Sequence, residues 1–96
     1  MDRAPHFPAP MPRYYFDVRE GDDVTSDDEG LELSGIEAAW VEAAHSLADI
    51  LRDAVRTRHQ GADHRMAIEV RDDTGPVLAV KVTFEAEWHA IGRLSQ

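Results

Sequence analysis

The stretch "RMAIEVRDDTGPVLAVKVTF", residues 65–84, decides the fold. Met66, Ile68 and Val70 alternate with Ala67, Glu69 and Arg71. After "DDTGP", Leu78, Val80, Val82 and Phe84 alternate with Ala79, Lys81 and Thr83. A period of two puts each apolar set on one face of a strand. Two such runs joined by a short Gly-Pro turn predict an antiparallel hairpin.

Working back toward the N-terminus, "RYYFDVRE", residues 13–20, shows the same period. Tyr14, Phe16 and Val18 share a side, opposite Arg13, Tyr15, Asp17 and Arg19. "GDD" is a turn signal, and Val24 and Thr25 begin a returning strand. "DDEG" makes a second turn, with Gly30 free to take positive φ. Leu31 and Leu33 then face one side and Glu32 the other.

Between these runs the period changes. Ile36, Ala39, Trp40, Ala43, Leu47, Ile50, Leu51, Ala54 and Val55 recur at spacings of three and four, the stripe of an amphipathic helix. Ser34 with Glu37 three residues later has the spacing of a capping box. Glu42, Asp49, Arg52, Asp53 and Arg56 take the wet side. Gly61 is a terminator, so the helix is expected over about residues 35–59.

The expected order is therefore β-β-α-β-β. One apolar sheet face covering one apolar helix face gives a two-layer α+β fold, an antiparallel sheet packed on one long helix. Trp40, Leu47, Phe16, Ile68, Val80 and Val82 are the expected core. Residues 11–87 form the single domain. Residues 1–10, "MDRAPHFPAP", read as a disordered tail, and residues 88–96 as a C-terminal tail or short helix.

Composition narrows the function. The chain has 96 residues, one domain's worth. A domain of this size buries roughly 60–65% of its unfolded surface, so the core is modest. It lacks cysteine, which removes disulfides, thiolate chemistry and cysteine-ligated zinc and fits a cytoplasmic setting. Ten Lys and Arg against 19 Asp and Glu leave a net charge of −9. Such a chain is repelled by phosphate backbones and anionic lipid, so neither nucleic acid nor membrane is an expected partner. The longest basic cluster is "RTRH", residues 56–59. The acidity supports solubility first and a basic protein partner second.

The densest chemical signal is acidic: Asp22, Asp23, Asp27, Asp28 and Glu29 within eight positions. An EF-hand needs oxygen ligands at loop positions 1, 3 and 5, Gly at 6 and Glu at 12. With Gly30 at position 6, the twelfth residue is Ile36; with Asp22 first, the third is Val24. Neither can ligate through a side chain, so the stretch reads as a solvated turn. His59 and His64 flank Asp63, too sparse a set for zinc. Ser26, Ser34, Ser46 and Ser95 have no His-acid pattern near them, and no Walker, GxGxxG or GxSxG motif occurs. No catalytic, cofactor-binding or metal residue is assigned, and an enzyme is not expected.

"MPRYYFDVREGD", "DDEGLEL", "IEAAWVEAAHSLADIL" and "MAIEVRDDTGPVLAVKVTF" together resemble a family of small bacterial domains of unknown function, common in rhizobia and related alphaproteobacteria. The resemblance covers about residues 11–85. It implies the same strand-strand-helix-strand-strand order and imports no active-site residue. It also implies that residues 1–10 are an extension, or that Met11 is the usual start.

The expected function is a non-enzymatic, self-associating interaction module. A 25-residue helix is about 37 Å long, whereas strands of seven or eight residues span about 23–27 Å. The helix therefore outruns the sheet, and a homodimer is the economical cover, with Ala39, Ala43 and Ala44 allowing close approach. The alternatives are a small-ligand-binding or regulatory domain, and an antitoxin-like regulator acting through a protein partner. Since a site that binds only the native state raises the melting temperature by mass action, millimolar calcium or zinc should shift it by no more than about a degree. A rise of several degrees, abolished by Asp27→Asn with Glu29→Gln, refutes the turn reading.

Overall fold

The computed structural model describes residues 11–57 and 64–87. Its elements are β1 (Arg13–Glu20), β2 (Asp23–Thr25), β3 (Leu31–Glu32), α1 (Ile36–Thr57), β4 (His64–Asp72) and β5 (Gly75–Phe84). The five strands make one antiparallel sheet in the order β2-β1-β4-β5, with β3 pairing β1 beside β2. The α+β class and the single long helix are as the periodicities predicted. The short β3 is additional, and the last residues of the expected helix and both expected tails lie outside the described residues.

Alternation places each strand. Phe16, Val18, Leu78, Val80 and Val82 pack with buried Met66, Ile68 and Val70 on one face of the sheet. Ala39, Ala43, Leu47 and Ala54 of α1 close the same core from above. Pairing is in register from Val18↔Ile68 to Ile68↔Val80, with a bulge between Val70 and Arg71 beside the Gly75 turn. Gly75 has φ 126°, a conformation that costs glycine little.

The helix starts one residue later than the capping box implies. Its first i→i−4 bond runs from Ala39 N to Gly35 O at 3.1 Å, so Gly35 stands at the N-cap and Ser34 lies just outside. Glu37 still sits in the first turn, where the helix dipole favours it. At 22 residues, α1 is roughly 33 Å long.

Trp40 corrects the expected core. It is 55% exposed, as is 45% of Ile36. Phe16, Val80 and Val82 are half-buried, while Leu47 and Ile68 are buried. The expected overhang is not the cause, because the ten residues of β5 span roughly 33 Å, as much as α1. The cause is small residues: Ala39 and Ala43 are fully buried and bring the backbone close to the sheet, so a bulky indole beside them is left outside.

Two truncations separate these positions. Leu47→Ala should cost about 2–5 kcal/mol in a denaturant titration, as buried leucines do. Trp40→Ala should cost less than Leu47→Ala in the monomer, because more than half of the indole is already in water.

Candidate functional site

The acidic loop and the outer face of β1 form the most connected polar cluster. The loop between β2 and β3 lies along β1's outer edge. β2 pairs Val18–Glu20 and β3 pairs Arg13 and Tyr14, so neither strand reaches Phe16. The Phe16 amide donates instead to Asp27 Oδ2 at 3.0 Å. Asp27 Oδ1 accepts from Glu29 N at 3.0 Å and Gly30 N at 3.1 Å, the pattern of an Asx turn. The Asp27 amide donates to Asp17 Oδ1 at 2.9 Å.

Arg71 completes the cluster from β4. Its Nε donates to Asp17 Oδ2 at 2.9 Å and its Nη2 to the Asp27 carbonyl at 2.9 Å. Its guanidinium lies 4.6 Å from the centre of the Tyr15 ring, within cation–π range. Gly30 is needed here twice over. Its φ is 71°, and a Cβ would stand 2.9 Å from the Arg13 Cγ and from the Tyr14 carbonyl oxygen.

These contacts set the protonation states. The Arg71 guanidinium holds the Asp17 carboxyl below its ordinary range, against a smaller opposing effect of burial. At Asp27 burial is the largest influence and raises the pKa, but the amides of Phe16, Glu29 and Gly30 together outweigh it, and the net shift is downward. Asp72, held by the Thr74 hydroxyl and amide, is also lowered. Carboxylates stabilised as anions and filled with donors are poorly matched to proton transfer near neutrality.

The sequence reading of a solvated turn thus holds for Asp22, Asp23, Asp28 and Glu29, all exposed, and fails for Asp27, which is turned inward as a structural acceptor. Five like residues in a run do not say which one turns in. The Asp27–Gly30 spacing carried the Asx-turn signal, but no local signal pointed to Phe16. Among the described residues no group of three His, Cys, Asp or Glu is placed to hold a metal ion. His64 opens β4, buried, with its ring 6.0 Å from that of Phe84. His59 and Asp63 lie outside the described residues.

Two further surfaces stand apart from this cluster. The outer sheet face carries an open concavity of about 550 Å³, floored by Ala67 and rimmed by Arg19, Arg65, Lys81 and Glu69. Arg19 is paired there with Glu69 at 3.1 Å. The second surface is apolar and lies on α1. Val41, Ala44, Ala48, Leu51 and Val55 follow one another at +3, +4, +3 and +4, an a/d heptad seam about a quarter-turn from the core line. Val41 and Ala48 are exposed, and Ala44, Leu51 and Val55 half-buried.

The family described as Domain of unknown function (DUF6894) matches residues 13–83. The chain belongs to this family. The DUF6894 match runs from the first residue of β1 almost to the end of β5, so it covers the whole sheet, the acidic loop and α1. No curated protein and no solved structure matches the chain. No described helix is long and apolar enough to cross a membrane.

The Asp27 contacts generate a mutational test. Asp27→Asn must present an amide NH₂ to one of the three backbone donors, so it should cost about 1–3 kcal/mol despite its unchanged shape. Asp28→Asn, on an exposed neighbour, should stay within about 0.5 kcal/mol. Because the folded-state pKa values of Asp17 and Asp27 are lowered, their contribution is complete above the unfolded value of about 3.9 and is lost as pH falls through the folded value. The gap between wild type and Asp27→Asn in urea titrations should therefore narrow on acidification below about pH 4.

Proposed function

We propose that this DUF6894 domain is a non-enzymatic interaction module that associates with a second copy of itself through α1. The observation that carries the reading is the second apolar seam on the helix. Its members run from Val41 to Val55, Glu37 takes the next place toward the N-terminus, and the charged residues in between, Glu42, Asp49, Arg52 and Asp53, fall on other lines of the helix. At the same end Trp40 and Ile36 are also exposed. Monomers seldom leave such a strip open, and a symmetric pair is the commonest way to cover one. The saturated carboxylates of the acidic loop support a structural role for the most polar cluster, in keeping with a protein that acts by contact.

Two other readings have narrower support. Exposed Asp22, Asp23, Asp28 and Glu29 on a chain of net charge −9 suit a basic protein partner. The mixed-charge concavity on the outer sheet face suits a small polar ligand, which would be seen as a co-purifying molecule.

Sedimentation equilibrium of the full chain tests the leading reading. The expected mass is about twice the 10.8 kDa of the chain at micromolar concentration. A mass that stays at 10.8 kDa at the highest soluble concentration overturns it.

A further inference from the structure

The open edge of β5 and the second seam of α1 lie on the same side of the molecule. Gly21 N donates to Arg65 O at 2.9 Å, so the odd-numbered residues of β4 direct their amides and carbonyls toward β1. The even-numbered ones, Met66, Ile68 and Val70, then bond to Val82, Val80 and Leu78 of β5. Ala79, Lys81 and Thr83 are left directing theirs away from β4, to an edge with no strand on it among the described residues. This edge is long and carries one charge, Lys81; most natural edges are short or more heavily charged.

Handedness places the helix. β3 and β4 both run antiparallel to β1, so they are parallel to each other, and α1 joins them as a crossover. Phe16 packs toward the helix while its amide points to Asp27, on the β2 and β3 side. For an L-chain those two directions make the crossover right-handed, as nearly all are. A right-handed helix lying on β4 and β5, with Ala39, Ala43 and Leu47 downward, turns Val41, Ala44, Ala48, Leu51 and Val55 toward the open edge of β5.

Resting on the self-association proposed above, we infer its geometry: β5 pairs antiparallel with β5 of a second copy about a two-fold axis at Val80, and the two α1 helices pack against each other over that axis. Three magnitudes agree. First, α1 contacts β4 and β5 about equally, so its axis stands about one strand spacing from the two-fold. Two helices so placed are roughly 9.6 Å apart, within the 8–10 Å of packed helices. Second, Ala54 lies level with His64 and Met66. Val80, opposite Ile68, is about 10 Å further down the sheet, equivalent to about seven helical residues, which brings the axis to about Ala48, the middle of the seam. Third, this centre lets Leu78–Val82 pair completely, clear of the bulge at Val77. Leu78 meets Val82 of the second copy on the core face, and Lys81 meets Ala79 rather than another Lys81 on the outer face.

The Ala79–Lys81 opposition supplies the test. Ala79 is exposed, so a longer side chain there displaces no core residue; within the chain it faces Glu69, so urea titration of each variant checks that the monomer is folded. Dissociation constants of the full-length wild type, Ala79→Glu and Ala79→Lys are measured by sedimentation equilibrium at low salt. Each dimer contains the pair twice, so Ala79→Glu should tighten and Ala79→Lys weaken association by about 3- to 30-fold. The double variant Ala79→Lys with Lys81→Glu should restore it. General repulsion between chains of net charge −9 predicts the opposite order, since Ala79→Glu adds to that charge. If wild type dimerises and the variants follow the net-charge order, or do not differ, the β5 geometry is wrong while self-association stands. A wild type that remains monomeric removes both.

Discussion

The amide of Phe16 sits at the centre of β1's outer edge, in a gap that no strand fills. β2 stops at Val18 and β3 begins at Tyr14, and an amide left bare between them at a half-buried position carries a cost of about 1–3 kcal/mol. The Asp27 carboxylate closes the gap with a charge-assisted bond, the stronger kind. To reach it, the loop must come tight against β1, which is why Gly30 meets Arg13 and Tyr14 at distances no Cβ tolerates. That approach lays β3 on Arg13 and Tyr14, and β3 sets where α1 begins. One carboxylate thus fixes the outer edge of the sheet and the launch point of the helix.

Arg71 ties this edge to the centre of the sheet. It reaches from β4 across β1 to Asp17 and to the Asp27 carbonyl, so the loop is held from a second strand as well as from β1. Its pairing with Asp17 differs from the surface pairs Arg13–Glu32 and Arg52–Asp49. Those join exposed side chains and contribute at most about 1 kcal/mol each. Asp17 is only 15% exposed, and its second oxygen is committed to the Asp27 amide, so removing Arg71 leaves a carboxylate with little access to water, whereas Arg71 itself stays partly solvated.

Much of this fold was legible in the sequence because its strands face two different solvents. Tyr14, Phe16 and Val18, and likewise Met66, Ile68 and Val70, had to share a face once their neighbours were charged. The helix was legible as a helix and in the side it turns to the sheet, since the buried Ala39, Ala43, Leu47 and Ala54 all lie in its expected stripe. What periodicity left open was which members of that wide stripe are buried. Bulk favoured Trp40. The structure leaves the indole outside and buries the alanines, because small residues let the helix axis approach the sheet. Asp27 was illegible for another reason: its partner, Phe16 N, is a backbone group 11 residues away, and a backbone group leaves no trace in the sequence.

The two ends of the sheet are finished in opposite ways, and that difference decides what an edge-paired assembly becomes. A sheet with two open edges adds copies without limit and tends toward fibres. Here the β1 edge is closed by β2 and β3 and, between them, by the Asp27 carboxylate; what faces outward is the short, exposed and acidic β2. Only β5 offers a long run of free amides and carbonyls among the described strands. The proposed pairing through it about a two-fold axis would consume both copies' open edges in a single step and leave the β2 edges outermost, where the acidic chains repel one another. Such an assembly would end at two. The constraint that places the helix is also the one that would make the pairing finite: without Asp27 on Phe16 the second edge would be interrupted rather than closed, and the stop after one addition would weaken.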